Sequence, residues 1–246
     1  MKIIFLGTNG WYDTKIGNTP CVLLDTKDNY IIFDAGYGIA SARDYIKDDK
    51  PTYLFISHFH MDHVCGLHAL ATLTLKQPLT IIGNKDAKRM IKVLVRPPFM
   101  DKLEHVSFGA KVFSLKEGEY TTPIKFTCLK LNHIVLTLGY RLYVEDKIIT
   151  YCCDTGVCEN DILLAEKSDL LIHECAFLPG ETSSWGHSAP EDAAGVALKA
   201  GAKRMILTHF GADRYPTVAS REEVGDWARK IFPATEVAVD GKVVAV

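Results

Sequence analysis

The sequence lacks an excess of positive charge. Its 28 lysine and arginine residues face 30 aspartate and glutamate residues, so the formal net charge is -2. A protein dedicated to nucleic acid normally carries a clear basic excess, because it must neutralise several phosphates. The composition therefore argues against that class of protein, although a local basic patch remains compatible with it.

Long apolar runs are missing as well, since no stretch approaches the roughly 20 apolar residues needed to span a bilayer. Residues 2–6 already form a strand-like run, and no small-residue cleavage site follows, so we expect no signal peptide. The 7 cysteines are an odd number and form no paired Cys-x-x-Cys arrangement, which argues against a disulfide framework. These absences predict a cytoplasmic protein with no membrane contact.

Nothing in the sequence divides the chain, because it contains no internal repeat, low-complexity tract or linker. We predict a single domain over residues 1–246. Apolar runs typical of strands dominate both halves, and helical periodicity follows several of them, as in residues 64–75 and 85–95. Residues 236–246 are predicted to form a hairpin around Asp240. The pattern indicates an α/β fold in which two sheets pack face to face with helices outside, a four-layer αββα sandwich.

The most informative segment is the run SHFHMDH at residues 57–63, between a predicted buried strand and a predicted helix. Alternate residues of an extended chain point the same way, so His58 and His60 can converge on one ion. Asp62 and His63 fall at the start of the helix and can serve a neighbouring ion. Imidazole and carboxylate ligands suit borderline divalent metals, zinc above all, with manganese or iron as alternatives.

Three further metal-capable residues follow the ends of predicted apolar strands, namely His133, Asp154 and His209. Sheets of α/β proteins present ligands at such strand ends. Each residue alone is explained equally well as an exposed loop histidine or a turn aspartate. Combined with the first motif, they favour one metal site.

The order His58-x-His60-x-Asp62-His63, then His133, Asp154 and His209, resembles the metallo-β-lactamase superfamily over nearly the whole chain. The resemblance implies the αββα fold and two metal ions. It assigns His58, His60 and His133 to the first ion, Asp62, His63 and His209 to the second, and Asp154 to both. It also implies that Asp34 is the family's buried aspartate supporting the ligand loop, with a simple turn aspartate as the alternative.

Further sequence similarities indicate which branch of the superfamily this chain resembles. The antibiotic-hydrolysing branch generally has a cysteine among its second-site ligands and a secretion signal, and neither is visible here. Residues 169–177, 186–194 and 207–210 are similar to the ribonuclease Z group. There the histidine matching His187 is thought to assist the departing oxygen, and we expect Glu174 to orient it. The alternative for His187 is a histidine at a helix start, next to Ser188 as the cap. The alternative for Glu174 is a salt-bridge partner at a strand end.

Members of that group that process transfer RNA generally carry a long RNA-gripping arm between the positions matching His133 and Asp154. Here only 20 residues separate the two, and a predicted hairpin at residues 138–151 uses most of them. The compact spacing resembles the small cyclic-phosphodiesterase members instead. Nucleic acid is therefore disfavoured as a partner. The sequence does not decide whether the protein forms a homodimer.

The sequence thus predicts a binuclear hydrolase of small or cyclic phosphodiesters that uses a metal-bridging hydroxide, with Asp62 helping to position the hydroxide. Two alternatives remain: a ribonuclease Z-like RNA endonuclease, and a metal-dependent thioester or lactone hydrolase. The roles of the polar loop at residues 8–20 and of Arg141 stay undecided. His173 is expected to be structural. Cys153, next to Asp154, is expected to be a small buried residue, with an oxidation-sensitive group or an occasional soft metal ligand as the alternative.

Overall fold

The computed structural model describes residues 1–182 and 184–246. The strands follow in chain order: β1 (Lys2–Gly7), β2 (Asn9–Gly10), β3 (Cys21–Asp25), β4 (Tyr30–Phe33), β5 (Thr52–Phe55), β6 (Leu79–Gly83), β7 (Ala110–Ser114), β8 (Gly118–Tyr120), β9 (Phe126–Lys130), β10 (Leu138–Val144), β11 (Lys147–Cys152), β12 (Leu170–Cys175), β13 (Met205–Gly211), β14 (Thr235–Val237) and β15 (Val243–Ala245).

The helices lie between strands. They are α1 (Met61–Val64), α2 (Ala87–Leu94), α3 (Glu159–Ala165), α4 (Pro190–Ala200) and α5 (Val218–Arg229). Three further segments are 3-10 helices, at Tyr37–Asp44, Cys65–Thr72 and Leu103–His105. No helix in the described part of the chain is long and apolar enough to cross a membrane.

The strands form two mixed sheets. The first has the order β15-β1-β3-β4-β5-β6-β7, and the second has the order β14-β13-β12-β11-β10-β9-β8, with β2 paired beside β13. Apolar residues from both sheets form one buried cluster between them. Two other clusters join the outer face of each sheet to its helices. The predicted αββα sandwich is therefore confirmed.

Stacked aromatic rings fill the centre of the interface between the sheets. Phe33 of the first sheet lies parallel to Tyr151 of the second, with ring centroids 4.5 Å apart. Phe55 packs edge-on against Tyr140 at 5.1 Å. Each buried ring contributes roughly 1.5–3 kcal/mol of hydrophobic stabilisation. Tyr151 also donates a hydrogen bond to Asp34 Oδ2 at 2.8 Å, so this core packing directly supports the polar site at the sheet edge.

The predicted C-terminal hairpin is wrong. β14 runs parallel to β13 in the second sheet, whereas β15 runs antiparallel to β1 in the first. The turn between them crosses from one sheet to the other. Asp240 in this turn accepts hydrogen bonds from the Thr8 hydroxyl and the Asn18 amide, both at 2.7 Å, which hold it against the N-terminal loop.

Two helix predictions also need correction. The helix predicted over residues 64–75 is a short α1 followed by a 3-10 segment, because the Gly66 amide donates to the Ala35 carbonyl at 2.8 Å rather than within an α-helix. Ser188 does not cap α4, since its hydroxyl donates to the Thr155 carbonyl at 2.6 Å. The N-cap residue before α4 is Ala189 instead, whose amide donates to Asp192 Oδ2.

Candidate metal centre

The first half of the site lies at the carboxyl ends of two parallel strands. β4 and β5 are paired with Phe33 opposite Phe55, so the residues just after them meet at one sheet edge. Asp34 follows β4, and the motif at residues 57–63 follows β5. The motif then turns into α1, which brings Asp62 and His63 back toward the same edge.

The second half comes from the parallel strands β11, β12 and β13. Asp154 follows β11, and Glu174 lies near the end of β12. The sequence predicted that His209 follows the end of a strand, but His209 lies inside β13. The β12–β13 register passes from the pair Glu174–Thr208 to the pair Cys175–Phe210, so His209 is the extra residue of a β-bulge. A bulge of this kind redirects a side chain, here toward the metal ligands.

Three site residues have left-handed backbone conformations that non-glycine residues seldom adopt. The φ values are 57° at Asp34, 56° at Asp154 and 52° at His209. Such conformations cost of order 1–3 kcal/mol each and persist where the surrounding structure enforces them, often at functional sites. The presence of three such conformations at one site indicates that the surrounding structure holds these side chains in place for a function.

Asp154 faces two separate groups of imidazoles. Its Oδ2 lies 3.5 Å from His58 Nε2 and 3.6 Å from His133 Nε2. Its Oδ1 lies 3.1 Å from His63 Nε2 and 3.0 Å from His209 Nε2. One carboxylate therefore joins two ligand groups, as expected of a residue that bridges two ions.

The remaining members of the predicted set complete these groups. His60 Nδ1 lies 3.3 Å from His133 Nε2. Asp62 Oδ2 lies 3.4 Å from His209 Nε2 and 3.5 Å from His63 Nε2. The structure thus brings all seven predicted ligands together.

Several imidazoles are oriented through their second nitrogen. His63 Nδ1 lies 2.9 Å from Asp34 Oδ2, and His133 Nδ1 lies 3.0 Å from the Gly186 carbonyl oxygen. Both acceptors require a proton on Nδ1, which leaves the Nε2 lone pair free for an ion. Asp34 also accepts from the Ser57 amide at 2.7 Å. The predicted supporting role of Asp34 agrees with this geometry.

The donor set fits divalent metal ions. Within the described residues, the buried His58 Nε2 has no hydrogen-bond partner, and it faces Asp154. Burial, helped by the neighbouring His63, lowers the pKa of His58 well below its ordinary value. Burial also lowers the pKa of His60 and of His133. Neutral imidazoles are the form that binds metals.

Asp154 is the charged counterpart of these neutral rings. Although its burial opposes ionisation, the imidazoles of His209 and His63 hold the pKa of Asp154 well below the usual range. Cys153 reaches the second group too, and its thiol donates to Asp154 Oδ1 at 3.4 Å. Burial raises the pKa of that thiol, which agrees with a small buried residue more than with a thiolate ligand.

His187 lies beside both ligand groups, as predicted. Its ring centroid is 5.0 Å from that of His133 and 5.9 Å from that of His209. Its Nδ1 donates to Glu174 Oε1 at 2.8 Å. Burial opposes the charged imidazolium, but the Glu174 carboxylate outweighs it and raises the pKa of His187 to about 9.

Glu174 is itself fixed by the backbone. It accepts from the amides of Thr155, at 2.7 Å, and Ala176, at 3.0 Å. With His187 as its third donor, the carboxylate has its hydrogen bonds met without a metal ion. These contacts agree with the expected role of Glu174 in orienting His187, which stays a prediction.

Arg141, whose role the sequence left undecided, and His173, expected to be structural, both have contacts away from the ligands. Arg141 does not serve the site, because its guanidinium donates to the carbonyls of Leu164 and Glu166, both at 2.6 Å. The buried His173 contacts Asp161 at 3.2 Å, in keeping with the structural role expected for it.

The loop at residues 8–20 contributes a group that sequence reasoning missed. The Trp11 amide donates to Asp62 Oδ2 at 2.9 Å, and the Trp11 side chain lines a cavity of about 590 Å³ that opens over the ligands. Its indole is 69% exposed. Only the loop's polar composition hinted at a role near the site.

Comparison with known proteins agrees with this geometry. The family model described as "Beta-lactamase superfamily domain" matches residues 29–210, about three quarters of the chain. The chain belongs to the metallo-β-lactamase superfamily. The residues matched include every predicted ligand, from His58 to His209.

Curated relatives of this superfamily member include ribonucleases Z. That of Bacillus licheniformis is 29% identical over 304 aligned positions, covering 98% of this chain and 97% of the relative. That of Geobacillus kaustophilus is 27% identical, with the same coverage. Because 304 exceeds the 246 residues of this chain by 58, the Bacillus licheniformis enzyme has segments without counterpart here.

Solved structures share the whole fold. The metallo-β-lactamase fold protein YhfI from Bacillus subtilis has a TM-score of 0.82 at 22% identity, covering 99% of both chains. Human tRNase Z, short form, has a TM-score of 0.79 at 23% identity, covering 100% of this chain and 99% of that one. A diphosphatase from the PhnP family has a TM-score of 0.75 at 17% identity, covering 100% and 97%.

Proposed function

We propose that this metal-dependent hydrolase cleaves small or cyclic phosphodiesters with two bound divalent ions, zinc in the first place. The observation that carries the proposal is the bridging geometry of Asp154, whose two oxygens face separate imidazole groups. Paired ions suit in-line displacement at phosphorus, because they can stabilise both the attacking and the leaving oxygen.

His58, His60 and His133 would hold one ion, Asp62, His63 and His209 the other, and Asp154 both. When bound, the ions would supply Lewis acidity toward phosphoryl oxygens and lower the pKa of a water at the site to about 7. Asp62 accepts the Trp11 amide and faces the second group, so it is placed to orient an attacking water.

His187 would give the departing oxygen its proton. The residue lines the cavity, and its Nδ1–H is already committed to Glu174. The proton on Nε2 is therefore the one available to a leaving group. Glu174 acts as a positioning residue, because it keeps the imidazole charged and aligned without reaching the substrate.

The RNA endonuclease remains the second candidate, since curated relatives along the full chain are named ribonuclease Z. Against it, β10 and β11 pair directly as the predicted hairpin and leave no room for an arm between His133 and Asp154. The positions missing relative to the Bacillus licheniformis enzyme also favour a smaller substrate.

A substrate panel tests the proposal. Zinc-loaded protein is assayed with bis(p-nitrophenyl) phosphate, a nucleoside 2′,3′-cyclic phosphate, a precursor transfer RNA, an aryl thioester and a lactone. We expect turnover of the first two, lost in Asp154→Ala and kept in the exposed control His68→Ala. Cleavage of the thioester or lactone without phosphodiester turnover would overturn the proposal, and precursor cleavage at higher kcat/KM would favour the endonuclease.

A further inference from the structure

We infer that the substrate carries a planar aromatic ring of nucleobase size next to its phosphodiester, and that Trp11 and Trp185 bind this ring. The inference rests on the proposed phosphodiesterase function and names its substrate class. Both tryptophans line the cavity that is also lined by four of the predicted ligands, His60, Asp62, Asp154 and His209. Trp11 is 69% exposed and Trp185 is 60% exposed, so a molecule in the cavity can reach both aromatic side chains.

Trp11 is fixed relative to the metal ligands. Its backbone has φ 76°, an uncommon conformation for a bulky residue, and its amide donates to Asp62 Oδ2 at 2.9 Å. The Tyr12 ring packs edge-on against the indole with centroids 5.2 Å apart. An exposed tryptophan kept in a strained conformation by a metal ligand is explained by binding rather than by packing.

The segment that carries Trp11 is anchored from behind. Arg221 is fully buried and donates to the Thr8 hydroxyl at 2.9 Å and to the Asn9 side-chain carbonyl. Gly10 lies so close to His209 that a β-carbon there would be 2.6 Å from the imidazole ring. This segment therefore cannot shift without disturbing the site, and it holds the Trp11 backbone beside Asp62.

Trp185 is tied to the other side of the same centre. It comes two residues before His187, and the intervening Gly186 accepts from His133 Nδ1 at 3.0 Å. Gly186 has φ 77°, and a β-carbon there would lie 2.2 Å from the Asn132 carbonyl oxygen, which makes this turn tight. Trp11 thus contacts Asp62 directly, and Trp185 is joined to His187 through the single residue Gly186.

The charges around the cavity favour a ring over additional phosphates. Among the described residues that line it, Arg214 is the only lysine or arginine. Arg214 is already paired with Glu181 and Asp213, each at 2.8 Å. This part of the wall is net negative, so a neighbouring phosphate of an RNA strand would be repelled there. A flat uncharged base would not be repelled by this wall.

The floor next to this wall is apolar. Phe177 lies under the Arg214 guanidinium at 5.0 Å and edge-on to His187 at 5.4 Å. Met61, 63% exposed, adds a flexible thioether at the same cavity. Aromatic and thioether surfaces suit stacking by any base, because every base has a π-face.

Paired substrates with one leaving group test the inference. Thymidine 5′-(p-nitrophenyl phosphate) and methyl p-nitrophenyl phosphate differ only in the group that remains on phosphorus. We expect Trp11→Ala and Trp185→Ala each to lower kcat/KM for the thymidine substrate by roughly 5- to 100-fold. The methyl substrate should change by less than about twofold, and Trp11→Phe should retain most of the preference.

Trp227 provides the matched control. It is an exposed tryptophan on α5 that contacts Lys230 and does not line the cavity, so Trp227→Ala should leave both substrates unchanged. Equal loss on both substrates in the Trp11 and Trp185 variants would overturn the inference while leaving the phosphodiesterase intact. Conversion of a dimer to a monomer in these variants, seen by light scattering, would overturn it in favour of a subunit interface.

A binding measurement separates this inference from the proposed function. Zinc-loaded protein is titrated with thymidine 5′-monophosphate, and tryptophan fluorescence is recorded. Saturable quenching that persists in Trp227→Ala and is reduced in Trp11→Ala and Trp185→Ala supports ring binding even if neither diester is cleaved. Quenching that never saturates, or that is equal in all variants, would overturn it.

Discussion

Replacing His187 by alanine should slow substrates with poor leaving groups far more than substrates with good ones. An alkoxide expelled from phosphorus needs a proton, whereas p-nitrophenolate leaves readily as an anion. His187 lines the cavity and is held by Glu174 at 2.8 Å, so it is the group placed to give that proton.

The expected sizes differ for the two residues. Loss of a general acid costs about 10²–10⁴-fold, equivalent to about 2.7–5.4 kcal/mol of transition-state free energy. Glu174→Gln keeps an acceptor for His187 but removes its charge. A charge-assisted hydrogen bond exceeds a neutral one by about 1 kcal/mol, so we expect roughly a fivefold loss.

The assay compares kcat/KM for a nucleoside 2′,3′-cyclic phosphate, which expels an alkoxide, with that for bis(p-nitrophenyl) phosphate. Zinc content and circular dichroism check that each variant keeps its fold and metals, and His68→Ala serves as an exposed histidine control. If His187→Ala slows both substrates equally, the acid role is refuted. If Glu174→Gln loses as much as His187→Ala, Glu174 does more than orient the imidazole.

Two further predictions concern the support of the site and of the fold. Asp34→Ala removes the acceptor of His63 Nδ1–H, so zinc affinity should fall by about 10–100-fold in a competition titration with a chelator, and unchanged affinity would contradict the role given to Asp34. Although burial lowers the pKa of His173, Asp161 raises it from 6.5 to about 9, which corresponds to about 3 kcal/mol of stability. Because the folded-state pKa is raised, this contribution is complete below pH 6.5 and is lost as the pH rises through about 9. Urea unfolding should show this loss in the wild type but not in Asp161→Asn, and parallel pH profiles would refute the pairing.

The clustering of the candidate ligands could be predicted because it follows local rules. The run at residues 57–63 needs only the period of an extended chain, and Asp154 lies just past a strand end. The direction of the His209 side chain could not be predicted, because it depends on a bulge in the pairing of β12 with β13. Trp11 was missed for a similar reason, since its place depends on a long-range hydrogen bond to Asp62.

The fold was predictable at the level of layers and less so at the level of pairing. Alternating apolar runs are enough to indicate two sheets with helices outside. The Asp240 turn has the composition of a hairpin, but the strands on either side of it find better partners in different sheets. The composition of the turn does not reveal this competition, because β15 pairs with β1, which lies more than 200 residues earlier in the chain.

Metal content shows whether Asp154 joins two ion-binding groups. Protein purified in metal-replete buffer is analysed by elemental mass spectrometry as the wild type and as Asp154→Ala, with His68→Ala as the control. We expect about two zinc ions per chain in the wild type and in the control, and fewer than about one in Asp154→Ala. A wild type with fewer than about one ion per chain, or an Asp154→Ala protein that keeps both ions, would contradict it.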